Sequence, residues 1–223
     1  MAILRLPFEA VVFDCDGVLV DSAAAVDRAW RQLADEFDLP LAAMLPEIHG
    51  VRAVDTLARW MPPDRVDGAA RRLEEIEVAL VTATTAVPGS QALVRALDGW
   101  PWAVATSGSR RLATARLAAA GFPDPPVLVT ADDVARGKPH PDPYLAAVAG
   151  LVVSAAATVV FEDAPSGAAA AEAAGATVIA VATSYPSGAF PALATVTDLR
   201  QVTVEAGVLV LALDLSEDTA ARR

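Results

Sequence analysis

From residue 88 onward the sequence alternates between strand-like and helix-like segments, and this alternation constrains the fold more than any other feature. Short apolar runs predict strands, and the Ala-rich or amphipathic stretches between them predict helices. The predicted strands are Trp102–Thr106, Val127–Thr130, Thr158–Phe161 and Thr177–Val181, and the predicted helices lie near Gln91–Leu97, Arg110–Ala120, Pro143–Ala149 and Ala164–Ala174. With the apolar run 10–13 as a first strand, the pattern predicts an α/β fold with a doubly wound, mostly parallel sheet.

About sixty residues with helical patterns separate the first strand from this alternation. Apolar residues recur there at helical spacing in three stretches, at Val26–Phe37, Val51–Met61 and Val66–Leu80. A βαβ crossover needs only one helix, so the extra helices predict a small helical cap inserted at residues 21–82. Residues 1–20 and 83–223 would form the Rossmann-like core, ending in a hairpin (202–204 with 208–213) and a frayed tail, Ser216–Arg223.

Charge and cysteine content argue against several classes of partner. The chain has 28 acidic and 17 basic residues, a net charge of −11, and the acidic residues are scattered, which argues against nucleic acid or an anionic membrane. Cys15 is the only cysteine, which excludes an internal disulfide and suits a reducing compartment. The uncharged stretch Pro143–Phe161 is Ala-rich and predicts a helix and a strand rather than a membrane span. We expect a cytoplasmic protein without a signal peptide.

The stretch Asp14–Ser22, with the sequence DCDGVLVDS, directly follows the first predicted strand. Ligands of open α/β sheets bind at the carboxyl ends of the strands, and Asp14 and Asp16 would place two negative charges there. A divalent cation is the simplest compensation for those charges. Asp and Gly are also common turn residues. This stretch alone therefore leaves a cation site and a polar turn equally open.

Polar groups also follow three further predicted strands. They are Thr106–Ser107–Gly108, then Lys138 after a glycine, then Glu162–Asp163. Each group alone is typical of an ordinary turn, loop or helix cap. A parallel sheet, however, brings the carboxyl ends of its strands to one edge, and four such groups in this order are not expected by chance.

These motifs together resemble a known family. The order DxDGVxxDS, ATSGS, GKPHPDPY and FEDAPSG is similar to the haloacid dehalogenase superfamily of aspartate-nucleophile phosphatases with a helical cap after the first motif. The strings IHGVRAVDTL and VTADDVARGKPHPDPYLAA resemble sugar and hexitol phosphatases, glycerol-3-phosphatases and 2-deoxyglucose-6-phosphatases. The resemblance implies a Mg²⁺-dependent hydrolase that acts on a small sugar or polyol phosphate through an aspartyl-phosphate. We expect a monomer, because core and cap of one chain suffice to close the site.

The resemblance also implies which residues carry the reaction. Asp14 would be the nucleophile, and Lys138 would contact both Asp14 and a phosphoryl oxygen. Asp16 would protonate the leaving alcohol and later remove a proton from water. Mg²⁺ would be held by Asp14, the carbonyl of Asp16 and Asp163, with Glu162 as a further or indirect ligand.

A second set of residues would bind the substrate. By the resemblance, Thr106 and the backbone amides of Ser107 and Gly108 would bind phosphoryl oxygens at a helix start. His49 and Arg52, in the cap string IHGVRAV, would face the hydroxyl groups of the substrate.

Two alternative functions remain open at this point. β-Phosphoglucomutases share the four motifs, but usually carry a His five residues after the last Asp of the first motif, where this chain has Val26. Haloacid dehalogenases lack the second acid, and phosphonatases need a cap lysine, whereas Lys138 is the only lysine here. A non-catalytic binding protein of the same fold would lack one of the catalytic groups, and none is missing.

Overall fold

The structure is a computed structural model that describes residues 2–213, so the predicted frayed tail Ser216–Arg223 lies outside the described residues. The strands in this range are β1 (Ala2–Pro7), β2 (Ala10–Phe13), β3 (Val20–Asp21), β4 (Thr85–Ala86), β5 (Trp102–Ala105), β6 (Val127–Val129), β7 (Thr158–Glu162), β8 (Thr177–Val181), β9 (Ala194–Val196), β10 (Val202–Glu205) and β11 (Val208–Leu213). The α-helices are α1 (Ala23–Phe37), α2 (Leu41–Met44), α3 (Ala53–Leu57), α4 (Pro63–Ala79), α5 (Ser90–Ala96), α6 (Arg110–Ala119), α7 (Asp142–Leu151) and α8 (Pro165–Ala173).

The main sheet has six strands in the order β6-β5-β2-β7-β8-β9, and every neighbouring pair is parallel. This confirms the predicted doubly wound parallel sheet, with strand bounds within one residue of those predicted. The chain moves from β2 outward through β5 and β6, then returns to β7 on the other side of β2. The strand order therefore reverses beside β2, and ligands of such sheets bind at this switch point.

Both faces of the sheet are covered by helices, so the four central strands β5, β2, β7 and β8 are almost entirely buried, whereas the edge strands β6 and β9 are partly exposed. Val11 and Phe13 point into a cluster with residues of α5 and α6, whereas Val12 points into a second cluster with α7 and α8. Phe13 also stacks on Phe161 of β7, with ring centroids 5.4 Å apart. Burial on both faces explains why these strands appear in the sequence as continuous apolar runs.

A second, three-stranded antiparallel sheet has the order β1-β11-β10. The predicted hairpin is confirmed, because β10 pairs with β11 from Val202 with Leu211 to Glu205 with Val208. The strands β1 and β9 were not predicted. In β1, Leu4 and Leu6 pack against the core while Ile3 and Arg5 are exposed. That alternation is the expected pattern of a strand with one buried face.

The segment between β3 and β4 is helical and has its own apolar cluster around Trp30, Leu33 and Leu73. The chain enters this segment through β3 and leaves it through β4. These two short strands pair as an antiparallel ribbon. The second predicted helix is shorter than expected, because Gly50 adopts a positive φ of 75° before it and a proline pair follows it. Among the helices of residues 2–213, none is long and apolar enough to span a bilayer.

Candidate active site

The first acidic motif leaves the carboxyl end of β2 at the sheet's switch point. Asp14 is buried, and its backbone N–H donates to the carbonyl of Phe161 at 3.0 Å. Asp16 follows in a tight turn and stays partly exposed. Gly17 completes the turn with a φ of +79°, and a Cβ there would lie 1.9 Å from Oδ2 of Asp163. A glycine is therefore required where the first motif approaches the last.

Lys138 and Glu162 are buried beside Asp14. The Lys138 side chain is fully enclosed, and its Nζ donates to Asp14 Oδ1 at 2.5 Å and to Glu162 Oε1 at 2.6 Å. The hydroxyl of Tyr144 also donates to Glu162 Oε1, at 2.6 Å. Oε2 of Glu162 accepts the backbone N–H groups of Asp163 and Ala164, so Glu162 also fixes the turn that leads into α8. Glu162 thus fixes the ammonium group of Lys138 against Asp14.

Asp14, Glu162 and Asp163 offer carboxylate oxygens within 4.8 Å of one another, all in buried positions. Burial raises the pKa of Asp14 to about 7, partly opposed by Lys138, and the nearby Glu162 and Asp16 raise it further. Burial, with the charges of Glu162 and Asp14, also holds the pKa of Asp163 well above its ordinary value. One ammonium group against three carboxylates leaves the cluster with net negative charge. Hard oxygen ligands with uncompensated negative charge suit a divalent cation such as Mg²⁺.

The turn Thr106–Gly108 follows β5 and opens α6 at the same edge of the sheet. Thr106 is buried, and its Oγ1 accepts the backbone N–H of Gly108 at 3.1 Å. The hydroxyl of Ser107 donates to the carbonyl of Gly50 at 2.9 Å, so the turn contacts the helical segment directly. Ser109 caps α6 by accepting the N–H of Leu112. The amides of Gly108, Arg110 and Leu112 all donate to protein oxygens here, so the binding of phosphoryl oxygens by this turn stays a prediction.

His49 and Arg52 reach the same cavity from the helical segment. His49 lies edge-on to Tyr185, with ring centroids 6.5 Å apart. The guanidinium of Arg52 pairs with Asp55 at 2.6 Å and donates to the backbone carbonyls of Val134 and Ala135 at 3.3 and 3.2 Å. Arg52 therefore joins the helical segment to the core, and its contact with substrate hydroxyls stays a prediction.

Arg116 and Glu77 are two site residues that the sequence reasoning missed. Arg116 of α6 is 3% exposed and donates to Asp16 at 3.0 Å and to Glu77 of α4 at 3.0 Å. Burial opposes the charge of Arg116, but Asp16 and Glu77 raise its pKa overall. Burial raises the pKa of Glu77, partly opposed by Arg116. Both residues stand on apolar helix faces: Arg116 comes four positions after Leu112, and Glu77 comes four positions after Leu73. A charged residue at such a position is unusual, and this was the sequence signal that could have identified them.

These groups surround one cavity of about 540 Å³ between the core and the helical segment. The core contributes Asp14, Asp16, Asp163 and the turn 106–109, and the helical segment contributes polar and apolar side chains. The predicted residues Asp14, Asp16, Thr106, Ser107, Gly108, Asp163, His49 and Arg52 all line it, while Lys138 and Glu162 lie directly behind Asp14. The cavity thus places acidic and hydroxyl groups around one space of small-molecule size.

Comparison with known proteins identifies a family and several relatives. The profile of a hydrolase family described as haloacid dehalogenase-like hydrolase matches residues 8–175. The chain is 46% identical over 175 residues to hexitol phosphatase A of Escherichia coli, covering 76% of this chain and 81% of that protein. It is 37% identical over 194 residues to glycerol-1-phosphate phosphohydrolase 2 of Saccharomyces cerevisiae, covering 82% and 78%.

A solved structure shares the fold as well. The chain is similar to the crystal structure of a hydrolase from Pseudomonas syringae, with a TM-score of 0.80 and 28% sequence identity. The similarity covers 86% of this chain and 94% of that one, so it includes both the sheet and the helical segment.

Proposed function

Because the chain belongs to the haloacid dehalogenase-like hydrolases, we propose that it is a Mg²⁺-dependent phosphatase acting on a small sugar or polyol phosphate through an aspartyl-phosphate on Asp14. The observation that carries this proposal is the buried Asp14–Lys138 pair at the base of the cavity, two residues before Asp16. The names of the relatives, a hexitol phosphatase and a glycerol-1-phosphate phosphohydrolase, support the substrate class.

In the proposed reaction, a carboxylate oxygen of Asp14 attacks the phosphorus, and the bond to the substrate's alcohol oxygen breaks. A phosphate dianion repels a carboxylate, so the attack needs positive charge beside both. Lys138 supplies a fixed charge next to Asp14, and Glu162 holds it there. Thr106 and the amides of Ser107 and Gly108 would bind the remaining phosphoryl oxygens at the start of α6.

Asp16 would transfer the protons of both half-reactions. It would donate a proton to the departing alcohol oxygen, and then accept one from the water that attacks the phosphoryl group on Asp14, as the bond from phosphorus to the Asp14 oxygen breaks and inorganic phosphate is released. Its side chain lines the cavity and is 30% exposed, so both the alcohol and the water can reach it.

The acidic cluster would hold the metal. Asp14, the backbone carbonyl of Asp16 and Asp163 would bind Mg²⁺. Glu162, whose two oxygens already accept four hydrogen bonds, would contribute mainly by orienting Lys138. When bound, Mg²⁺ would neutralise the phosphate and lower the barrier to attack by an anionic nucleophile.

Residues 21–82 would act as the cap that selects the substrate. His49 stands at the cavity, and apolar residues such as Trp30, Val54 and Leu73 line the same side. We propose that His49 and Arg52 face the hydroxyl-bearing part of the substrate. That one chain acts as a cytoplasmic monomer stays a prediction.

Phosphoglucomutase activity is the runner-up. Val26 lines the cavity at the position where, by the family resemblance, such mutases usually carry a histidine. An aliphatic side chain there has no group to exchange a proton with a sugar hydroxyl. We therefore favour transfer of the phosphoryl group to water.

The test is a phosphate-release assay with Mg²⁺ on hexitol phosphates, hexose phosphates, glycerol phosphates and β-glucose 1-phosphate. We expect hydrolysis of at least one sugar or polyol phosphate, and no isomerisation of β-glucose 1-phosphate. No phosphate release from the whole panel would refute the proposal.

Replacement of the nucleophile provides the matched control. Asp14→Asn keeps the shape of the side chain but removes the attacking charge, so we expect turnover to fall by at least about 10³-fold. Circular dichroism should show an unchanged fold. Retained turnover in a folded Asp14→Asn protein would mean that another residue is the nucleophile.

A further inference from the structure

Arg116 joins the proposed proton-transfer residue to the cap. Its Nη1 lies 3.0 Å from each carboxylate oxygen of Asp16, and its Nη2 lies 3.0 Å from Oε1 of Glu77. Arg116 belongs to α6 of the core, whereas Glu77 belongs to α4 of the helical segment. One guanidinium plane is therefore held by two carboxylates that come from different parts of the molecule.

Stability alone does not account for this arrangement. Arg116 and Glu77 are both buried, and burying charges costs more free energy than a well-packed apolar pair of the same volume. Exposed arginines are available on the same helix, since Arg111 is 62% exposed at its side chain and only 4.0 Å from Glu74. The buried pair is unusual because it ends at Asp16: all three side chains line the cavity, but Asp16 is the most exposed of them, at 30% against 4% for Arg116 and 10% for Glu77.

The side chain of Asp16 is held at two points. Within residues 2–213 its hydrogen-bond donors are Arg116 and the hydroxyl of Ser22, which lies 2.5 Å from Oδ1. Ser22 immediately precedes α1, the first helix of the cap. Both hydrogen bonds to Asp16 therefore depend on the cap. Ser22 lies at the point where the chain enters the cap, and Arg116 is hydrogen-bonded to Glu77 of the cap.

We propose that Arg116 is a positioning residue that holds Asp16 for protonation of the leaving alcohol, and that Glu77 makes this positioning depend on the docked cap. The proposal rests on the phosphatase function above. Docking would bring Glu77 against Arg116, fix the guanidinium plane and so fix the carboxylate of Asp16. Arg116 itself contacts no reacting atom in this scheme.

The test compares two classes of substrate by kcat/KM, which reports the steps up to phosphoryl transfer onto Asp14. An alkyl phosphate, the best sugar or polyol phosphate of the wild type, needs a proton on its leaving oxygen. p-Nitrophenyl phosphate releases a stable anion, so its leaving oxygen needs no proton. For Arg116→Met we expect kcat/KM to fall about 100-fold on the alkyl phosphate and less than about 3-fold on the aryl phosphate.

Further variants separate positioning from packing. Arg116→Lys keeps the positive charge without the two-pronged geometry, so it should restore part of the alkyl phosphate activity. Glu77→Gln should lose less kcat/KM than Arg116→Met. Its loss should again be larger on the alkyl phosphate than on the aryl phosphate. Arg111→Met, on the same helix and facing the same part of the cap, should change kcat/KM by less than about 2-fold on both substrates.

If Arg116→Met fails to fold, the double variant Arg116→Met with Glu77→Leu replaces the buried pair by apolar side chains and leaves Asp16 with Ser22 as its hydrogen-bond donor. Equal losses on the two substrates in a folded variant, or no loss, would overturn the proposal while leaving the phosphatase function intact. A wild type that hydrolyses neither substrate would instead overturn the phosphatase function itself.

Discussion

At the scale of single residues, the main feature of this site is a cluster of buried carboxylates. Asp14, Glu162 and Asp163 are all buried, and Lys138 is the only ammonium among them. Carboxylates in such surroundings either take up protons or bind a cation. The residues proposed to bind Mg²⁺ are therefore the ones that should destabilise the metal-free protein.

The pH dependence of stability tests this charge imbalance in metal-free protein. The folded-state pKa of Asp14 is about 7, against an ordinary value of 3.8, so the folded state binds this proton more tightly than the unfolded state. Stability from Asp14 is present below pH 4 and is lost as pH rises to about 7. Relative to Asp14→Asn, we expect the free energy of unfolding of the wild type to fall by on the order of 2–4 kcal/mol across this range.

Urea unfolding in EDTA at several pH values measures this difference. Saturating Mg²⁺ should remove most of the slope, because the cation binds the ionised carboxylates of the folded state. Parallel pH profiles for the wild type and Asp14→Asn in EDTA would contradict the assigned pKa.

At the scale of elements, the strands and helices of the core were predictable because each carries a local signal. β2, β5, β7 and β8 are buried on both faces, so their apolar runs are unbroken. β9 is as short as β6, but its sequence Ala-Thr-Val is not a continuous apolar run like the Val-Leu-Val of β6, so it gives no local signal. The order of motifs indicated which strand ends meet, and the structure brings those residues to one cavity.

The Arg116–Glu77 link could not be predicted in the same way. α6 and α4 were both expected, and Arg116 and Glu77 stand on their buried faces. An arginine on a helix is ordinarily solvated, however, and its partners here lie 100 and 39 residues away. Only the packing of the cap on the core decides that these charges meet.

The small sheet β1-β11-β10 should contribute stability without contributing to catalysis. Leu211 of β11 is fully buried in the core cluster, far along the chain from every motif residue. Leu211→Ala should lower the free energy of unfolding by about 2–4 kcal/mol through lost burial and a cavity. Urea unfolding measures the loss, and kcat/KM at low temperature should stay within about 2-fold of the wild type.

Thr203→Ala is the matched control, because Thr203 is exposed on the neighbouring strand β10. It should change the free energy of unfolding by less than about 1 kcal/mol. A large loss of activity in folded Leu211→Ala would show that this sheet influences the site.

For the molecule as a whole, the proposed function would depend on how the helical segment, the proposed cap, packs on the core. Side-chain hydrogen bonds across this boundary include those from Arg116 to Glu77, from Ser107 to the carbonyl of Gly50, from Arg52 to the carbonyls of Val134 and Ala135, and from Ser109 to Glu74. Most of them surround the cavity rather than forming a broad apolar interface. Cap position and cavity shape are therefore coupled.

Gly50 lies at this boundary, where its carbonyl accepts the hydroxyl of Ser107, and it allows a direct test of the contact. Its φ is +75°, and a Cβ there would lie 2.5 Å from Ser166 Oγ and 2.7 Å from the Cβ of Ala164, both in the core. Gly50→Ala should therefore displace the cap, and a displacement of about 1 Å at the substrate should lower kcat/KM by about 10- to 100-fold. Thermal unfolding should show the core intact, because only the boundary is strained.

The matched glycine is Gly68, which lies in the middle of α4 with nothing within 4 Å of a Cβ. Gly68→Ala should leave kcat/KM within about 2-fold and raise the stability of the cap by about 0.5–1 kcal/mol, because alanine favours the helix. If both glycine variants kept wild-type kcat/KM, the cap would tolerate displacement from the core, and its docked position could not be what shapes the cavity.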